Sequence, residues 1–236
     1  MKKLFITTAL SLALLSGAKA QTIQSKNTGF TLSIAPSLGV LINGNDYASN
    51  ATPIMGGIDT SIGGKINNFT LAAGVQYLAG GGYDNDAWPS NLYDQSTSLL
   101  NIYGDIGYEI EATKRFSITP SVLGGVGFLK ESYKASEDVV ITNLITGAEF
   151  YFDKGTDFVD KLTGGIVGGG LDMDFYITNS FSIGLDNKFM VFLYSDTGNA
   201  VIYGSNGDEI DSAETSTGGL DPSFIYSANI KLAYTF

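Results

Sequence analysis

Carboxylates are the only reactive groups this sequence offers in quantity. Its 236 residues carry 24 Asp and Glu against 13 Lys and Arg, a net charge of −11, with no cysteine and no histidine. Without cysteine there is neither disulfide nor thiolate chemistry. Without histidine the commonest general base and metal ligand are missing, and a Ser–His–Asp relay cannot be built. The acidic balance argues against a nucleic-acid partner. Asp59, Asp105, Glu109, Asp172, Asp174 and Asp186 stand in stretches where every second residue is apolar, and Gln76 and Lys188 share that setting. Residues two apart in an extended chain share a face. Asp172 and Asp174 therefore form one same-face pair, Asp186 and Lys188 another. Lys188 is expected to pair with Asp172 or Asp174 on the neighbouring strand. Such a set supports a polar channel or proton-accessible site, or else a structural plug of ion pairs and water. A narrow enclosure favours the plug.

Two further acidic clusters, Asp84-Asn85-Asp86 with Asp94, and Asp208, Glu209 and Asp211, fall between the apolar stretches. All-oxygen ligands suit calcium, but neither cluster has the spacing or turn glycine of an EF-hand loop. Solvated, mutually repelling charge is the plainer expectation. Divalent cations bridging these carboxylates to lipopolysaccharide phosphates form a middle reading. No metal site, cofactor or catalytic residue is expected, and the chain reads as a non-enzyme.

The elements that must position these groups are strands. Period-two alternation marks eight segments: 30–42, 54–64, 69–77, 100–110, 116–128, 167–177, 181–193 and 224–236. Pro36 and Pro120 fall mid-strand, where each removes a ladder hydrogen bond, and both are expected to mark bulges. Short turns at Lys65–Asn68, Glu111–Arg115 and Thr178–Ser180 alternate with long connections at 43–52, 80–96, 130–162 and 196–222. Short turns on one side and long loops on the other is the asymmetry of bacterial outer-membrane barrels, whose long loops are extracellular. The 130–162 connection holds an apolar run, Val139–Ile145, followed by Glu149–Phe152. It is expected either as a hairpin standing above the membrane or as two further barrel strands, which would make ten.

The faces can be assigned. One face of the strands holds small residues such as Ala35, Ser37, Gly39, Ala72, Gly74, Ser117, Gly125 and Gly127. They suit the narrow interior of an eight-stranded barrel rather than a solvated exterior. The bulky apolar face must then point outward, which only lipid tolerates. Phe116 and Phe128, Phe181 and Phe189, and the rings of the last strand bracket their strands as interfacial girdles do. After residue 20 no segment is apolar long enough for a membrane helix, so a spanning chain must close as a barrel. Residues 1–20 read as a secretory signal: Lys2-Lys3, an apolar stretch from Leu4 to Leu15, then Ala18-Lys19-Ala20. Residues 21–236 form the single expected domain, with a charge near −14 once Lys2, Lys3 and Lys19 leave.

The final strand alternates through Tyr226, Ile230, Leu232 and Tyr234 and stops on Phe236. It resembles the C-terminal signal that outer-membrane proteins present to the barrel-assembly machinery. The Gly168–Phe189 stretch, GGGLDMDFYITNSFSIGLDNKF, resembles the periplasmic hairpins of the OmpA/OmpX/opacity-type small barrels. The resemblance implies an all-β, eight-stranded antiparallel up-and-down transmembrane barrel, integral to the outer membrane and acting as a monomer. Its partners would be outer-membrane lipid, lipopolysaccharide, the assembly machinery and an extracellular partner of the loops. The expected work is structural or surface interaction through acidic loops, especially 130–162 and 196–222. A narrow porin or small-ligand carrier is the alternative.

Overall fold

A computed structural model describes residues 28–43, 54–81, 93–142, 149–204, 206 and 208–236. The secretory signal and the Asp84–Asp86 cluster lie outside these residues. Eleven strands follow one another: β1 (Thr28–Asn43), β2 (Ile54–Ile66), β3 (Phe69–Gly81), β4 (Tyr93–Tyr108), β5 (Ile110–Thr113), β6 (Phe116–Ala135), β7 (Val139–Thr142), β8 (Glu149–Phe152), β9 (Asp157–Tyr176), β10 (Phe181–Tyr203) and β11 (Glu209–Thr235). Nine form one antiparallel sheet ordered β4-β3-β2-β1-β11-β10-β9-β6-β5, which closes through β4–β6. β5 continues the line of β4 along β6, so the wall has eight staves. The first and last close against each other, from Thr31 opposite Thr235 to Asn43 opposite Ser223. Closure leaves the sheet without a free edge.

β7 and β8 pair only with each other, in a separate two-stranded sheet. The 130–162 connection therefore contains the hairpin and no additional staves: the barrel has eight, not ten.

The outward face carries a broad apolar belt. Ile34, Leu71, Ile106, Val122, Leu185 and Ile230 are all well exposed on it. Aromatic rings gather at the short-turn end. Phe69 meets Tyr108 at 5.2 Å, Tyr234 meets Phe236 at 4.9 Å, and Phe30 lies 6.2 Å from Phe236. At the other end Phe189 and Tyr226 lie 4.7 Å apart, and Phe128 and Phe224 are exposed at that end too. Two ring belts separated by aliphatic side chains are the signature of a lipid-facing wall.

Both prolines keep the register. Pro36 stands opposite Ile58 and Pro120 opposite Leu171 in unshifted ladders. The expected bulges are not there. Instead the β1–β11 pairing lapses around Pro36, and Pro120 faces the break between β4 and β5, where the missing N–H removes no formed bond. The register shifts that do occur lie elsewhere, at Glu111/Thr113 in β5, at Ile202/Tyr203 at the end of β10, and within β10 between Ser195 and Thr197 against β11 and between Tyr194 and Asn199 against β9.

The long connections are shorter than their alternation suggests. β4, β6, β9, β10 and β11 run on past the apolar belt as one wall, with Lys134 opposite Asp157 and Asp160 opposite Ala200. Most of 196–222 is thus paired strand, from Thr197 opposite Ser216 to Tyr203 opposite Glu209. In these extensions the sequence lacks the apolar/polar alternation of the belt, although residues such as Thr97, Ser132, Ala135 and Val159 are buried.

Candidate functional site

The lumen is built in two layers. At the short-turn end its walls are polar. Lys231 of β11 lies 2.8 Å from both Asp172 and Asp174 of β9. Lys65 of β2 lies 2.8 Å from Glu109. Lys188 of β10 bonds Asp186 on its own strand and reaches 3.1 Å to Asp59 of β2, three staves away. The ring of Tyr103 lies 5.2 Å from that ammonium group while its hydroxyl donates to Asp59 at 2.7 Å. Gln76 donates to Asp59 and to Ser227, Asn101 donates to Gln76, and Asn229 donates to Asp186. Asp105 accepts from Ser121 at 2.7 Å. A cavity of about 120 Å³ remains among these groups, with Asp105, Asp172 and Lys231 in its wall. That is room for several water molecules. Six carboxylates (Asp59, Asp105, Glu109, Asp172, Asp174 and Asp186) meet three ammonium groups (Lys65, Lys188 and Lys231).

The long-loop end is dry. Every stave sends at least one apolar side chain inward there: Leu41 from β1, Met55 from β2, Leu78 from β3, Leu99 from β4, Leu129 from β6, Ile166 from β9, Met190 and Phe192 from β10, and Ile225 from β11. All are at most 4% exposed. Phe192 stacks on Tyr194 with ring centroids 5.3 Å apart. Gly127 makes room for it, since a Cβ there would stand 2.8 Å from the Phe192 ring. These side chains form one buried apolar cluster across the bore. A polar cavity thus ends blindly against an apolar plug.

Eight staves, an apolar outer wall and a filled bore define an architecture. A major outer membrane protein from Thermus thermophilus is similar to it: the two structures superpose with a TM-score of 0.61 at 12% identity, over 89% of this chain and 100% of that one. This chain has the fold of a small outer-membrane β-barrel. The attachment invasion locus protein Ail of Yersinia pestis aligns at a TM-score of 0.48 and 11% identity, over 88% of this chain and 99% of its own. Neisserial surface protein A gives 0.47 and 12%, over 89% and 100%. No protein-family profile and no curated protein sequence matches the barrel.

The barrel places Asp59, Gln76, Asp105, Glu109, Asp172, Asp174, Asp186 and Lys188 inside the lumen. Their pairing differs from expectation. Lys188 stands opposite Gly170 and turns to Asp59 and Asp186, while Asp172 and Asp174 take Lys231. Lys65 and Lys231 complete the network, although one stands at the start of a short polar turn and the other within the terminal alternation. Both have inward parity. Tyr226, Ile230, Leu232, Tyr234 and Phe236 lie on the outer wall at the end of the chain. Asp208 is bonded within its own turn by Asn206. Among the described residues no cluster of three or more acidic side chains is placed to hold a metal ion.

Proposed function

We propose that the chain is a small integral protein of the bacterial outer membrane, a rigid non-conducting anchor whose extracellular segments do the work. The observation that carries this reading is the pairing of a lipid-facing wall with an apolar plug to which all eight staves contribute. A bore sealed this way supports neither permeation nor, without histidine, relay catalysis of the serine-hydrolase kind. On this reading residues 1–20 are a cleaved secretory signal and Phe236 closes the strand that the assembly machinery reads. The chain acts as a monomer, without cofactor, among lipid and lipopolysaccharide. The surface for an extracellular partner is the wall of β4, β6, β9, β10 and β11 above the belt, with the β7–β8 hairpin and the acidic β10–β11 tip. The narrow porin or small-ligand carrier draws its support from the acid-lined cavity, whose wall holds two more carboxylates than ammonium groups.

The deciding experiment joins two measurements on protein extracted from outer membranes. Gel mobility with and without boiling should show the shift of an SDS-resistant barrel. Planar bilayers loaded with the same material should stay silent. Fractionation as soluble protein with no shift would end the membrane reading, and steady single-channel current would hand the function to the porin.

A further inference from the structure

The apolar plug carries a polar row on its outer side. Leu99 of β4, Leu129 of β6 and Leu162 of β9 are ladder neighbours within the plug. Two residues further from the short-turn end, on the same inward face, stand Thr97, Glu131 and Asp160, again direct neighbours from strand to strand. The next inward row is Gln95, Tyr133 and Phe158, and Phe152 of the β7–β8 hairpin packs edge-on against Phe158 at 4.9 Å. Two facing carboxylates thus lie between a hydrocarbon floor and an aromatic roof. Like charges placed directly opposite on a sheet repel. No Lys or Arg lies within 4.0 Å of Glu131 among the described residues, and Lys130 and Lys161 beside the pair belong to the outward face. Glu131 accepts only a long bond of 3.5 Å from the Tyr133 hydroxyl.

Thr97 supplies an independent observation. It is only 2% exposed, and its hydroxyl oxygen, out of contact with water, bonds to no group. Its ladder neighbours are Gly80, which has no side chain, and Glu131. Along the row the hydroxyl therefore faces the carboxylate, yet the two do not bond. Buried polar groups find partners as a rule. Oxygens that stand side by side without bonding one another are arranged as ligands around a shared cation.

We propose that Glu131, Asp160 and Thr97 form a calcium site that bolts β4, β6 and β9 together at the foot of the extended wall. The row offers only oxygen donors, which suit a hard cation, and two carboxylates balance its charge. An irregular set of this kind suits calcium over magnesium, which demands near-octahedral geometry. The site rests on the fold alone, whereas the use of the bolted wall as a partner surface rests on the anchor reading above. The test uses the full mature chain in detergent, stripped with chelator and titrated with terbium, whose luminescence is read on tyrosine excitation. Calcium is then added as competitor. Wild type should bind one calcium per chain, at about 0.1–1 mM as extracellular calcium modules do. E131Q/D160N should lose the signal, and T97V should bind on the order of tenfold more weakly. D208N/D211N in the β10–β11 tip should match wild type, and magnesium should compete far less well than calcium. No saturable calcium competition in wild type, unchanged binding by E131Q/D160N or T97V, equal loss in D208N/D211N, or equal competition by magnesium would overturn the site. The boiling-dependent gel shift, run on every variant, separates failure of the site from failure of the barrel itself.

Discussion

Lys188 ties β10 to β2 across the bore through Asp186 and Asp59, with the Tyr103 ring beside it, and it is only 4% exposed. Removing one partner of a buried pair leaves uncompensated charge and costs about 3–5 kcal/mol, more than the pair itself contributes. Lys188→Met should therefore lower stability by about that amount in urea titrations of the vesicle-embedded barrel. Lys188→Met/Asp186→Asn should recover part of the loss. A single variant as stable as wild type would show the strut to be idle. Gly127 gives a second residue-scale outcome. Its missing Cβ is the space Phe192 occupies, so Gly127→Ala should cost about 1–3 kcal/mol by overpacking, read in the same titration. At this scale the sequence reveals which residues are inside but not whom they meet. Parity puts Asp172, Asp174, Asp186 and Lys188 in one lumen. Whether Lys188 turns to Asp172 or to Asp59 depends on strands far apart in the chain, and no local spacing encodes that.

Each stave rises from a short turn whose chemistry is local. Asn67, with φ of 54°, turns β2 into β3, and the Thr178 hydroxyl accepts from the N–H groups of Ser180 and Phe181 between β9 and β10. These turns and the membrane-spanning parts of all eight staves were legible because lipid outside and a polar bore inside force strict alternation. The extensions 93–99, 130–135, 157–162 and 197–216 were not, since polar and apolar residues there follow no period of two. The β7–β8 hairpin is separable: Ala135 already bonds Thr156 and Gly155 beneath it, so the ladder closes without it. Replacing residues 139–152 by a short glycine-serine turn should leave the boiling-dependent gel shift intact, and loss of the shift would mean that the hairpin holds the barrel together. One extension also carries a pH response. Glu131 of β6 lies opposite Asp160 of β9 above the apolar belt; burial first, and then the Asp160 charge, push its carboxyl above the ordinary range. A raised carboxyl means that the folded state holds the proton longer than the unfolded one. Its contribution is complete below the ordinary glutamate range and is lost as pH rises through the raised value. The urea midpoint should fall over that window in wild type and fall less in Glu131→Gln. Parallel pH profiles would remove Glu131 from the account.

The whole molecule is a tube with one end wet and the other dry, and the dry end was also written in the sequence. Alternation fails at the same end of every stave, where apolar residues become neighbours: Leu41-Ile42, Ile54-Met55, Tyr77-Leu78, Leu99-Leu100, Phe128-Leu129, Ile166-Val167, Phe189 through Leu193, and Phe224-Ile225. Taken strand by strand, each such run looks like a blurred strand boundary. Taken around the ring, the eight runs are one layer, because each turns at least one apolar side chain inward to meet the others. Recognising it requires knowing the closure, which is a property of the tube and of no single stave. On the sealed-anchor reading the layer also decides transport. On that reading, ions entering from the short-turn end find a cavity lined by five carboxylates and three ammonium groups and then a layer of hydrocarbon, which bars them by denying hydration. Met190→Ala/Phe192→Ala removes the largest pieces of that wall from β10, at a stability cost of about 2–5 kcal/mol for each truncation. If the plug is the seal, the folded variant should pass small, cation-selective currents in planar bilayers where wild type passes none, the selectivity coming from the surplus of lumen carboxylates. If the variant folds, shows the gel shift and stays silent, the seal lies instead in the ion-pair layer around Lys188 and Lys231.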